Sequence, residues 1–294
     1  MSASNETEPT EEIGRRRWYR AVLALGRRAT VALLVVAGCR GPGRGDPEGA
    51  GALLEHMIAG RIGRAGLAYD IVYRLYVPPD YDASRRYPLL VYLHGSGALG
   101  DDNRRQIGPE LAGLHRRLQA NEPVFVLAPQ CPAVDKWVTG ARTAPFLNFS
   151  QNERPEADAL KLVALLLDEL EQKYALDRDR IYVTGHSSGA AGTWDIVSRR
   201  GLDRFAAAVP VTGVGDPSRA PAIAKLPIWV FHGAKDEISP VKNARDMVAA
   251  LRAQGSAVRY TEYADVGHDT LNRAYAEREL VPWLLAQRRE RAPR

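Results

Sequence analysis

The sequence predicts an α/β domain: a mostly parallel sheet covered by helices on both faces. Three observations carry this expectation. From about residue 65 to residue 288, apolar strand-like runs alternate with segments of helical periodicity, the pattern of repeated βα units. Several runs, YPLLVYL at 87–93 among them, are apolar at nearly every position, as strands buried on both faces are. With 294 residues, 45% hydrophobic and 26% charged, the chain is long enough for one such domain with an ordinary core.

Residues 69–77 (YDIVYRLYV) read as the first strand, ended by Pro78 and Pro79, and 87–93 as the second, stopping at His94-Gly95. PVFVLA at 123–128 is a third. Residues 155–174 place Leu160, Val163, Leu167 and Leu170 on one helical face with acidic residues opposite, an amphipathic helix. RIYVTG (180–185) is then a strand and 188–200 a helix, while FAAAVPV (205–211) and PIWVFHG (227–233) are further strands. A helix at 240–255 stops at Gly255, AVRYTEY (257–263) is the last strand, and 274–288 the last helix. The segment 135–152 has no clear period and contains Trp137, Phe146 and Phe149. Long loops in compact domains are usually functional, so these three aromatics are candidate walls of a substrate pocket. Trp194, on a helix, is expected in the core.

The formal charge of +5 is confined to the ends. The first 45 residues carry a net +4 and the last seven a net +3, which leaves a slightly acidic body and little electrostatic support for nucleic-acid binding. Two cysteines without CxxC spacing exclude a disulfide scaffold or a structural zinc of the usual kind. Arg27 and Arg28 precede a short apolar run at 29–37 that ends in VAGC, the layout of a secretory signal. VAGC resembles the cleavage box of a bacterial lipoprotein with Cys39 as the acylated residue, the alternative being a disordered extension with an accidental apolar patch; the run is too short to span a bilayer. The expected organisation is a leader at 1–39, a flexible Gly/Pro-rich tether at 40–64, the α/β domain at 65–288 and a basic tail at 289–294. The expected location is the bacterial cell envelope, lipid-anchored, or the extracellular space, with membrane contact only through that anchor.

Gly185-His186-Ser187-Ser188-Gly189 lies between an apolar strand and a helix, the setting of a nucleophile elbow. A turn sharp enough to lift a serine hydroxyl off the sheet leaves no room for a Cβ two residues to either side. Taken alone, the motif also fits a tight βα turn with a serine N-cap. A serine hydroxyl needs a histidine base oriented by a carboxylate. Asp236 follows one later strand and His268 the next, at strand C-terminal ends where open sheets gather their sites. Ser187, Asp236 and His268 are therefore the candidate catalytic residues, with Asp265 the alternative acid. Oxyanion donors are expected at the backbone N–H of Ser188 and, from HGSG at 94–97, of Ser96. His94 is expected to brace that loop; His186 and His232 read as turn histidines, and His56 and His115 lie outside the constellation. None has metal-ligand spacing, so neither a metal nor an organic cofactor is expected.

YLHGSGALGDDN, APQCP followed by Trp137, RIYVTGHSSGAAGTWD, PIWVFHGAKDEISP and VRYTEYADVGHD together resemble an α/β-hydrolase over about residues 69–285. In particular they are similar to a bacterial peptidase or carboxylesterase group related to feruloyl esterases, polyhydroxybutyrate depolymerases and prolyl-oligopeptidase catalytic domains. That group usually reads Gly-Leu-Ser-Met-Gly-Gly at the elbow and Glu-Arg where this chain has Ala98-Leu99, departures that fall on the pocket rather than the triad. Cys131 belongs to the group's structural pattern. The resemblance implies a serine hydrolase cleaving short-acyl or aryl-acyl carboxylic esters, small or polymer-linked, through an acyl-enzyme. The alternative is a serine peptidase of prolyl-oligopeptidase type, disfavoured by the absence of an evident N-terminal propeller; a non-catalytic surface lipoprotein would be expected to have a broken triad.

Overall fold

The computed structural model describes residues 47–139, 150–151 and 154–289. Cys39, Phe146, Phe149 and most of the basic tail lie outside them. Eight strands form one sheet: β1 (Met57–Ile62), β2 (Ile71–Tyr76), β3 (Tyr87–Leu93), β4 (Phe125–Gln130), β5 (Leu176–His186), β6 (Ala207–Val211), β7 (Trp229–Gly233) and β8 (Arg259–Tyr263). Their spatial order is β1-β2-β4-β3-β5-β6-β7-β8. β1 pairs antiparallel with β2 and β2 with β4, while every pair from β4 to β8 is parallel.

All seven residues of β3 are buried, and alternation divides them between two cores. Leu89, Val91 and Leu93 join one apolar cluster with Leu160, Val163, Leu167 and Trp194, whereas Leu90 and Tyr92 join another with Leu111, Leu118 and Leu284. The helices α3 (Asp158–Lys173), α4 (Ser188–Arg204) and α6 (Lys242–Ala253) cover the first face. The second is covered by α2 (Pro109–Gln119), α7 (Leu271–Ala276) and α8 (Leu280–Ala286), with Leu53 of α1 (Pro47–Glu55) beside them. A four-residue helix α5 (Ala220–Ile223) precedes β7.

Three expectations are corrected. Residues 40–64 are not a tether throughout: α1 and β1 occupy 47–62, and β1 extends the sheet by pairing Met57 with Tyr76 through Ile62 with Ile71. As an edge strand with only its end residues buried, β1 lacks the apolar run that marks a central strand. The single final helix is two, α7 and α8. Pro282 cannot sit deep in a helix, so the helix restarts at Leu280 and Pro282 falls in the first turn, where its missing N–H costs nothing. α2 is also additional to the expected series, although Leu111, Leu114 and Leu118 recur at helical spacing behind Pro109 at its start.

Candidate active site

Ser187 connects β5 to α4 with φ 55° and ψ −116°, a strained backbone for a residue with a Cβ. The turn is held by the Ser187 N–H donating to the Val211 carbonyl at 3.0 Å and by Ala190 and Ala191 donating back to the Ser187 carbonyl. The flanking glycines are sterically required. A Cβ on Gly185 would stand 2.3 Å from the Gly189 carbonyl oxygen, and one on Gly189 would stand 1.9 Å from that of Leu93.

β3, β5, β6, β7 and β8 run parallel, so the loops at their C-terminal ends meet at one edge of the sheet. This brings together three side chains that are distant in sequence. The Ser187 hydroxyl lies 2.8 Å from His268 Nε2, and His268 Nδ1 donates to Asp236 at 2.9 Å to Oδ2 and 3.1 Å to Oδ1. With Nδ1 carrying the proton, Nε2 is left as the acceptor facing the hydroxyl. Asp236 is almost wholly buried, and its Oδ1 accepts the N–H groups of Ile238 at 2.9 Å and Ser239 at 2.8 Å. Burial alone would push its carboxyl up, but hydrogen bonds from His232, His268 and the Ser239 N–H hold it well below the usual carboxylate range. Asp265, the alternative acid, is exposed and paired with Arg273 at 2.7 Å.

Two histidines expected only to shape turns touch this chain of groups. His232, fully buried, places Nε2 2.7 Å from the Ser239 carbonyl and 3.3 Å from Asp236 Oδ2, so Asp236 stands between two imidazoles. His186 donates from Nε2 to the His268 carbonyl at 3.1 Å, its ring 5.2 Å from that of His268. The available signal is the spacing: His232 lies four residues before Asp236 and His186 directly precedes Ser187.

Beside Ser187 is a small cavity of about 30 Å³ with an apolar side formed by Val138, Ala191, Gly213 and Val214. Ser96, Ser188, Ser239 and Lys136 also line it. Ser188 is the first residue of α4, and Ser96 the first of a single 3-10 turn, Ser96–Ala98. First-turn N–H groups have no partner inside their helix, and neither of these two donates to another backbone group among the described residues.

Trp137 is not a wall of the cavity, which corrects the sequence expectation. It is fully buried, and its indole N–H donates to the His94 carbonyl at 2.9 Å. His94 in turn donates from Nδ1 to the Gly95 carbonyl and accepts the Cys131 N–H on Nε2, so the residues around Ser96 are pinned from behind. Trp194 is buried, as expected, and burial pushes the Cys131 thiol far up, as suits a structural cysteine. Trp137→Ala is expected to lower stability by about 3–5 kcal/mol. Trp137→Phe, which deletes the donor to His94, is expected to lower turnover more than it raises the Michaelis constant; steady-state kinetics separate the two.

Burial pushes the His94 imidazole down to about 4 against the opposing Gly95 carbonyl, and burial followed by the charge of His268 pushes His186 to about 4. Both rings are thus neutral in the folded chain at pH values where the unfolded chain, near 6.5, takes up protons. The stability that these two neutral rings contribute is expected to be lost as pH drops from about 6.5 to about 4, with His94 accounting for up to about 3 kcal/mol. Denaturant unfolding of His94→Gln, compared with wild type at pH 7 and pH 4.5, should show a smaller acid loss.

Residues 142–280 match the family model of the dienelactone hydrolase family. No curated protein matches the chain. Among solved structures it is similar to a thermostable esterase at 35% identity and a TM-score of 0.72, covering 81% of this chain and 64% of that one. The chain thus spans somewhat less than two thirds of that esterase's length. A ferulic acid esterase (17% identity, TM-score 0.58, 78% and 97% covered) and the Pyrococcus horikoshii acylaminoacyl peptidase (13%, 0.55, 83% and 44%) share the fold. Parallel sheet, strained serine elbow and family match agree: the chain has the α/β-hydrolase fold, and its residues 142–280 match the model of the dienelactone hydrolase family.

Proposed function

We propose that the protein is a serine hydrolase that cleaves short-acyl or aryl-acyl carboxylic esters through an acyl-enzyme. The observation that carries this reading is the unbroken series Ser187 Oγ to His268 Nε2 at 2.8 Å and His268 Nδ1 to Asp236 Oδ2 at 2.9 Å. In this mechanism Ser187 Oγ attacks the ester carbonyl carbon as its proton passes to His268 Nε2. The carbonyl oxygen becomes an oxyanion held by the N–H groups of Ser188 and Ser96, the first aided by the dipole of α4. Collapse of the intermediate expels the alcohol, which takes the proton from His268. A water molecule then repeats the sequence on the acyl-enzyme and frees Ser187. Asp236 keeps the proton on His268 Nδ1 and stabilises the imidazolium.

The small cavity beside Ser187, with Val138, Ala191 and Val214 on its apolar side, favours the short end of the acyl range. The deciding experiment is fluorophosphonate labelling of the purified protein, followed by a panel of acyl and aryl esters and peptides. Labelling with preference for short acyl esters is expected. Efficient cleavage of internal peptide bonds with negligible esterase activity would overturn the reading in favour of a peptidase.

We also propose export and acylation at Cys39, supported by VAGC at 36–39 behind Arg27 and Arg28. In a bacterial host the wild type is expected to partition into detergent and Cys39→Ala to appear as soluble exported protein. Detergent partitioning of Cys39→Ala would contradict the assignment.

A further inference from the structure

β7 is buried at all five of its positions, a place that suits Trp229, Val230, Phe231 and Gly233. His232 is fully buried among them, and a polar ring there is unfavourable unless it is hydrogen-bonded. Its Nε2 meets that need at the return loop that carries Asp236. The Ser239 carbonyl, 2.7 Å away, can only accept, so Nε2 carries a proton and donates it there. The same N–H has Asp236 Oδ2 3.3 Å to its side, and Ser239 donates its own N–H to Asp236 Oδ1 at 2.8 Å. One ring thus closes the loop from Gly233 to Ser239. It also turns the positive end of its N–H dipole towards the oxygen that accepts from His268 Nδ1 at 2.9 Å. His186, by contrast, bonds the main-chain carbonyl of His268 and not a side chain of the series.

A carboxylate beside a catalytic histidine orients the ring and stabilises its protonated form. The second effect has a cost at low pH, because a protonated His268 cannot take the proton of Ser187. A positive dipole end against Oδ2 opposes that stabilisation, while Oδ1 keeps its backbone donors and the carboxylate stays in place. We propose that His232 is a positioning residue that sets the acid limit of activity: it fixes the Ser239 turn against Asp236 and restrains the carboxylate from over-stabilising protonated His268, so that Ser187 stays activated at lower pH. The inference rests on the serine-hydrolase reading above. Other charged and titratable groups surround the pair. Glu262 stands opposite His232 in the β7–β8 pairing and is bound by Arg245 and Tyr260. Asp265, paired with Arg273, lies on the loop of His268, and Asp269 and His186 flank His268 itself. All of these are common to wild type and to variants at His232, so a comparison among them isolates the ring.

The test is the pH dependence of fluorophosphonate inactivation, which reads the step at Ser187, together with that of kcat/KM on p-nitrophenyl butyrate. In His232→Leu, which fills the space without a donor, the pH of half-maximal rate is expected to move up by about 0.5–1, the range of one neutral hydrogen bond or somewhat less. His232→Gln, whose amide N–H can reach the Nε2 position, is expected to return the midpoint most of the way to wild type. A midpoint in His232→Leu that is unchanged or lower, with only a reduced plateau, is what loss of packing alone gives, and it overturns the proposal while leaving the hydrolase reading standing. Proton NMR of wild type labelled with nitrogen-15 histidine gives a second reading that does not depend on either variant folding. The His232 Nε2 proton, assigned through its ring correlations, is expected to shift across the pH range in which activity is lost. A resonance that stays fixed across that range also overturns the proposal. Wild type that reacts with no fluorophosphonate at any pH removes the hydrolase reading itself.

Discussion

Ser187→Ala is expected to abolish ester hydrolysis and fluorophosphonate labelling while leaving the thermal midpoint within a few degrees of wild type. The substitution keeps the Cβ and the φ of 55°, so the strain of the elbow and the packing of α4 are retained. What is lost in the folded state is one hydrogen bond, to His268 at 2.8 Å, worth about 1 kcal/mol and hence roughly 2–4 °C for a domain of this size. What is lost in the reaction is the nucleophile, and among the described residues no other hydroxyl is hydrogen-bonded to His268 Nε2 to replace it. Removal of such a group lowers turnover by about 10⁴-fold or more, because the remaining members act only through it. Ser188→Ala is expected to have a far smaller effect, since its main-chain N–H survives the change. Turnover equal to wild type in Ser187→Ala, with the protein shown pure and folded, would remove the central claim.

The sheet and the meeting of the three side chains were legible in the sequence for one physical reason. Strands buried on both faces, such as β3 and β5, read as unbroken apolar runs, and loops placed directly after them share one edge of the sheet. Ser187 and His268 are 81 residues apart, yet each follows a strand, and parallel pairing does the rest. Elements whose character depends on a neighbour were not legible. β1, with Gly60 and Arg61 in its middle, is a strand because β2 offers a free edge. Trp137 is aromatic and close to the site in sequence, but nothing in its type distinguishes a pocket wall from a residue that pins His94 from behind. His232 is similar: its contact with Asp236 depends on a loop that folds back after β7, through the Ser239 carbonyl.

Asp236→Asn is expected to lower kcat/KM by about 10³- to 10⁴-fold, by reversing the direction of a single hydrogen bond. The Ile238 and Ser239 N–H groups at 2.9 and 2.8 Å require an acceptor at the Oδ1 position, so the amide oxygen of the new side chain is drawn there. Its NH₂ then occupies the Oδ2 position, facing His268 Nδ1 and His232 Nε2. An amide nitrogen donates and does not accept. His268 therefore has to accept on Nδ1 and carry its proton on Nε2, where it can no longer take the proton of Ser187. The fold is expected to survive, since the two backbone donors remain satisfied. Asp265→Asn removes only an exposed, solvent-screened pair with Arg273, and is expected to change turnover little. Kinetics of both variants on p-nitrophenyl butyrate, with circular dichroism to check folding, make the comparison. If the Asp265 substitution proves the more damaging, the acid has been assigned to the wrong residue, and the two-imidazole arrangement around Asp236 is structural rather than part of the proton path.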